Sequence, residues 1–435
     1  MIALTTAFNP QKSDLPVSLQ RALQGSPLRT PEGGRRFVKW MLVLLLITFL
    51  GQAAIFTSMS VSATQVYFSG MALALVSSVP TLALIHYLDR RERESSWLLA
   101  GSLIWGAVIG TGLAAVLNAF GLGLIVLTET LGSMTIQDLD TTNEILTAIT
   151  VAPPIEELTK GLGVLLIFWF LRAEFDNLRD GIIYGGLIGL GFLIAEYSIY
   201  LVDALQEGGS PPYLELLALR NVFFGANYHV IWTALFGAGI GLARQTQSRW
   251  VSLAAPLIFY LLAVFCHALN NSLGIVLIST LLRAFGIDIE QNMSLDMLPA
   301  IWTSAAIMNI VVQFWAYALL ALLLIKSGRD EIRVIRRYLA NEIGRAVTPE
   351  EYVQIENEKL FMSRRIPGYS GDREKAIVNA QNELAFRKWH LANEGIDIES
   401  DPLVEAWRED IAKLRGLDAE PLNAVLDSSS KTNPV

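Results

Sequence analysis

Eight apolar runs, at about 37–58, 66–88, 97–119, 143–171, 181–205, 214–243, 250–282 and 299–325, set the terms for everything else in this 435-residue chain. Each is long enough to cross a hydrocarbon core of roughly 30 Å at about 1.5 Å per residue. Lipid offers no water to backbone N–H and C=O groups, so a spanning segment must satisfy them itself, and runs of this length do so as helices. A mean hydropathy of +0.43, with 52% apolar and 17% charged residues, fits a polytopic membrane protein and not a soluble domain. The expected fold class is therefore all-α: a bundle of about eight transmembrane helices over 37–325, with a flexible cytoplasmic arm at 1–36 and a small helical cytoplasmic tail at 326–435.

Charge placement orients the bundle. Arg35, Arg36 and Lys39 precede the first run, and Arg90, Arg91 and Arg93 follow the second. Arg172 and Arg179 follow the fourth, Arg244 and Arg249 the sixth, and Lys326 and Arg329 the eighth. The alternate loops, 120–142, 206–213 and 283–298, hold only Arg283 among them. Positive charge collects on the cytoplasmic side, so both termini are expected there, in an integral protein of a bacterial plasma membrane. The first run begins too late for a cleavable signal peptide. The single cysteine, Cys266, excludes an intrachain disulfide, and the net charge of −8 belongs to loops and tail. There is no nucleotide-binding loop, and no nucleic-acid partner is expected; the lipid bilayer is. Oligomeric state is not legible.

In the tail, Thr348-Pro349-Glu350-Glu351 reads as a helix start with a capping-box acid. Two further helices are expected at about 373–393 and 401–415, and Arg333, Arg336 and Arg337 stand where they can hold anionic headgroups.

Within the membrane, runs four to seven carry polar groups that cost roughly 2.5–3.5 kcal/mol each to insert and so mark function by default. They are Glu156, Glu157 and Lys160; Asp180 and Glu196; Asn227, His229 and Thr233; and His267 with Asn271. Glu156 and Lys160 are i,i+4 neighbours and can pair, which leaves the other carboxylate for chemistry. His267 and Asn271 share one helix face. By the expected topology Glu156 and His229 lie roughly 20 and 22 Å from the outer ends of their runs. Glu196 and His267 lie about 22 and 25 Å from the cytoplasmic ends of theirs. Helices of opposite direction thus bring acids and imidazoles to one level.

A carboxylate shielded from bulk water can act as general base on a water molecule, with histidines sharing the proton and an Asn amide stabilising an oxyanion. Glu156, Glu196, His229 and His267 are also the ligand types of a catalytic zinc. Metal-free and zinc-dependent chemistry both stay open. No Ser-His-Asp set is present, and Cys266 points about 100° from His267 on a helix, which disfavours a cysteine nucleophile. Duller roles stand beside these. The histidines and Asn271 suit interhelical hydrogen bonds, Glu196 suits a partner for Lys160, and Asp180 suits a helix N-cap. His86 and His390 have no evident role.

At these residues the chain resembles the PrsW family of intramembrane proteases, related to the CAAX prenyl protease and bacteriocin-processing superfamily. The resemblance rests on Pro154 to Lys160 as an EExxK motif, Asp180 to Gly185, and Gly191 to Glu196. It continues with His229, Trp232, Thr233 and Gly237, then His267 to Asn271 as HxxxN. It covers about residues 150–275, and Tyr197 departs from the asparagine usual after the second-motif glutamate. It implies an endopeptidase with Glu156 or Glu157 as base, Glu196 and His229 at the water, and His267 and Asn271 on the oxyanion. It implies as substrate a single-span membrane protein such as an anti-sigma factor. The alternative from the residues alone is an ion- or proton-coupled transporter using the same cluster.

Overall fold

The computed structural model describes residues 31–57, 59–131, 147–171, 174–207, 209–246, 248–287, 294–366 and 368–416. Most of the expected arm, Arg172, residues 132–146, which include part of the expected loop 120–142, and the chain after 416 lie outside these. Among the described residues the structure is helical, with one isolated bridge between Ile343 and Val347 and no strand. It divides into two compact units, one built from residues up to 87 with 94–321, the other from 88–93 with residues from 322 onward.

The first unit contains α1 (Pro31–Thr57), α2 (Val61–Ser77), α3 (Val79–Leu88), α4 (Ser96–Ile104) and α5 (Thr111–Leu131), the last two joined by a π-helical turn at Trp105–Gly110. It continues with α6 (Ala152–Phe170), α7 (Leu178–Gln206), α8 (Tyr213–Arg220), α9 (His229–Gln245), α10 (Arg249–Leu269) and α11 (Ile275–Ala284), and with the first part of α12 (Leu298–Leu339). Five helical stretches are long and apolar enough to cross a membrane, or six if α2 and α3, bent by 49°, make one span. The runs expected at 143–171 and 214–243 are absent from that count for physical reasons. Helix α6 carries three ionisable residues, and the second run is broken into α8 and α9 by a connector with positive φ at Phe224, Gly225 and Tyr228.

Helix α7 is the axis of this unit: 89% of its apolar window is buried, against 11% for α1. Its glycines make that possible. A Cβ on Gly181, Gly185 or Gly189 would lie 2.0–2.3 Å from the carbonyl oxygens of Gly237, Thr233 and His229. This small-residue stripe lets the α7 and α9 backbones touch, as membrane helices do where apolar side chains gain nothing by leaving lipid. Its register also fixes Phe192 and Glu196, one and two turns beyond Gly189, beside His229. At its start, Asn177 and not Asp180 is the N-cap; Asp180 is the third residue of a capping box and accepts from the Asn177 backbone N–H. A short acid three residues on completes the box, which spacing alone did not separate from a cap.

In the second unit α13 (Pro349–Glu356), α14 (Gly371–Glu394) and α15 (Pro402–Arg415) pack with the end of α12 around Ile335, Leu339, Leu384 and Val404. Thr348 and Glu351 form the expected capping box. Arg91, read from sequence as a loop cation, is buried here against Glu358, 3.0 Å away. Arg336 donates to the carbonyls of Ile355 and Glu358, so part of the basic exit cluster staples the tail.

Candidate active site

Pro153 and Pro154 start α6, where the N–H each lacks would have no helical partner, and so place the glutamate pair in the first two turns. Glu157 and Lys160 are both fully buried. Lys160 Nζ lies 2.6 Å from Glu157 Oε1, so the expected pair is made by the i,i+3 glutamate and not by Glu156. The same Oε1 is 3.1 Å from His267 Nδ1, and Thr233 donates to Oε2 at 3.2 Å. Glu157 is thus saturated by protein.

Glu156 is placed differently. Its Oε1 accepts from Asn118 Nδ2 at 3.2 Å, whereas its buried Oε2 makes no hydrogen bond and lies 3.9 Å from His267 Nε2. His267 is fixed on both faces of its chemistry. Glu157 as a carboxylate can only accept, so Nδ1 carries the proton and Nε2 offers its lone pair toward Glu156. Trp232 stacks on the imidazole with ring centroids 4.3 Å apart. Gln313 of α12 braces that stack, accepting from Trp232 Nε1 at 3.3 Å and donating to the Cys266 carbonyl at 2.9 Å.

His229 is the first residue of α9. Its Nδ1 is 2.6 Å from Lys160 Nζ and its Nε2 2.8 Å from Glu196 Oε2. An ammonium only donates, so Nδ1 accepts and Nε2–H donates to Glu196. Glu196, instead of pairing with Lys160, forms its ion pair with Arg220 at the end of α8. Asn271 does not join the group. The π-helical turn at Asn270–Gly274 breaks the regular step after His267, and Asn271 Nδ2 donates to the Ala148 carbonyl at 2.8 Å. Cys266 is a buried free thiol.

Asn118, Arg220 and Gln313 were not singled out in the sequence, although each is a polar residue inside an apolar run. That alone was their signal; which of many such residues meets the cluster depends on packing.

One ligand atom each from Glu156, His229 and His267 lie within 4.8 Å of one another. The set fits a metal: two imidazoles and a carboxylate are a known catalytic zinc combination, and a carboxylate behind a ligating histidine, as Glu157 stands behind His267, is the usual support. The orphaned Glu156 Oε2 and the His267 Nε2 lone pair are open to it, while His229 would exchange one contact.

A family model described as PrsW family intramembrane metalloprotease matches residues 94–315, just over half of the chain. The chain belongs to this family. It is an intramembrane protease, and the matched span contains every residue of the cluster just described. No curated protein and no solved structure matches the chain. The family assignment lends nothing to the transporter alternative.

Proposed function

We propose that this protease hydrolyses a peptide bond in or beside the span of a single-span membrane protein, with Glu156 as the base that activates water. One observation carries the reading: of the two adjacent glutamates, only Glu156 keeps a buried carboxylate oxygen with no hydrogen-bond partner among the described residues, and it faces the imidazole of His267.

In the proposed reaction Glu156 takes a proton from water as its oxygen bonds to the scissile carbonyl carbon. That proton is passed to the leaving nitrogen as the C–N bond breaks. Glu157 holds Lys160 and the His267 tautomer, and Lys160 and Glu196 hold His229. Trp232 keeps the His267 ring in plane and excludes lipid from one face. In a metal-dependent form Glu156, His229 and His267 are instead the residues that would hold a zinc ion, and such an ion would lower the pKa of a bound water in place of the free Glu156 base. Oxyanion stabilisation would fall to Asn271 only if it leaves the Ala148 carbonyl to which it now donates.

The charge pattern supports eight spans with both termini and the tail in the cytoplasm. The expected depth of the site suits cleavage near the outer half of the bilayer, and the family resemblance suggests a substrate with a short extracytoplasmic part, such as an anti-sigma factor. The test is cleavage by the full-length protein in liposomes of a panel of single-span substrates. Glu156→Gln should abolish cleavage. Wild-type rates from Glu156→Gln, Glu157→Gln, His229→Ala and His267→Ala alike would falsify the reading.

A further inference from the structure

Arg220 lies outside every motif that carries the family resemblance, yet it touches the site. Its guanidinium pairs with Glu196 Oε2, the same oxygen that meets His229 Nε2 at 2.8 Å. One face lies 4.3 Å from the Tyr200 ring and another 5.8 Å from that of Tyr228. The backbone around it is held unusually firmly. Asn227 Nδ2 donates to the Arg220 carbonyl at 3.1 Å, and Tyr228 Oη donates to the Leu219 carbonyl at 2.9 Å. Trp302 Nε1 donates to Val222 O at 2.9 Å. The connector these bonds fold back holds Phe224 and Tyr228 at φ of 54° and 47°, a conformation non-glycine residues adopt only when their surroundings enforce it. The end of α8 and the start of α9 are therefore locked together, with Arg220 on one side of Glu196 and His229 on the other.

We propose that Arg220 is a positioning residue for His229, acting through Glu196. A guanidinium is always charged and fixes a carboxylate in direction as well as charge. With Arg220 in place Glu196 presents Oε2 to His229 Nε2, so the ring keeps one orientation and one tautomer. Without it, Glu196 can rotate toward Tyr200, whose hydroxyl already stands 3.5 Å from the other carboxylate oxygen, and the imidazole is released. The activity consequence rests on the protease reading above; the structural consequence does not.

The full-length protein contains four histidines, so ¹⁵N-histidine labelling gives few ring signals to assign. In chelator-treated protein, where no ion can hold the ring, wild type should show His229 in a single tautomer, Arg220→Ala should show tautomer-averaged nitrogens, and Arg220→Lys should lie between. On a fluorogenic single-span substrate in liposomes, Arg220→Ala should lose about a hundredfold in kcat with KM changed less than about twofold, the size expected when a catalytic group is misplaced. Millimolar guanidinium should return at least tenfold of that loss in Arg220→Ala and nothing in Glu196→Gln. A single unchanged His229 tautomer in Arg220→Ala or Arg220→Lys overturns the proposal, as does a kcat loss that guanidinium does not touch in a variant of wild-type thermal stability. Should wild type cleave nothing while the tautomer result holds, the protease reading fails and the positioning role stands.

Discussion

His267 joins the two adjacent glutamates in different ways: its Nδ1 lies 3.1 Å from Glu157, and its Nε2 lies 3.9 Å from Glu156. One ring thereby stands between a carboxylate whose oxygens are both hydrogen-bonded and one that keeps an oxygen open. Glu156→Gln should cost at least about a thousandfold in kcat, of the order seen when an acid–base group is lost, with thermal stability near wild type. Glu157→Gln should instead lower stability by about 3–5 kcal/mol, because it strands a buried lysine. Activity and thermal unfolding of the two variants side by side check this division.

The Glu157–Lys160 pair makes a sharper case through a double variant. Lys160→Met alone leaves a buried carboxylate without its cation and should be as damaging as Glu157→Gln. Replacing both together should recover most of the lost stability, since the cost lies in the unpaired charge. A double variant no more stable than the worse single one contradicts the pairing.

Helix contact through glycine can be tested at Gly181, distant in sequence from the cluster. A Cβ there would fall 2.0 Å from the Gly237 carbonyl oxygen, so Gly181→Ala must push α7 from α9. Overpacking of this kind costs about 1–3 kcal/mol. Because the same contact sets Glu196 against His229, kcat should fall more than tenfold with it, measured on the liposome substrate.

Metal content separates ligand roles from hydrogen-bond roles. Elemental analysis of purified protein should find about one zinc per chain in wild type and in Asn271→Ala, and far less in Glu156→Gln and His267→Ala. Chelation should remove activity in proportion to metal, with zinc restoring it. Equal metal in all four proteins argues that Glu156 and His267 do not ligate.

The tail has its own pH dependence. Burial alone would raise the Glu342 pKa, but hydrogen bonds from Arg408 and Lys388 outweigh it and hold the group below its usual value. A hydrogen bond from Arg408 holds Glu399 down to about 2, though that carboxylate is largely exposed and its contribution is screened. Both values are depressed, so the stabilisation is complete above the ordinary glutamate value of 4.5 and is lost as pH falls through the folded values. Hydrogen exchange of residues 371–415 in the full chain, corrected for intrinsic rate, should quicken as pH drops from 4.5 toward 2.

The order of apolar runs, the helical class, the Thr348–Glu351 box and the concentration of acids and imidazoles in four consecutive runs followed from sequence, because hydropathy and local spacing are properties of neighbouring residues. Spacing could not choose between Glu156 and Glu157 as partner for Lys160, since both are within one helical turn of it. It gave no sign that run six breaks before His229, or that a π-helical turn diverts Asn271 to Ala148. Those outcomes, and the arrival of Asn118, Arg220 and Gln313 at the cluster, depend on which helices touch and in what register. In this chain that register is set by glycines 181, 185 and 189 meeting the α9 backbone.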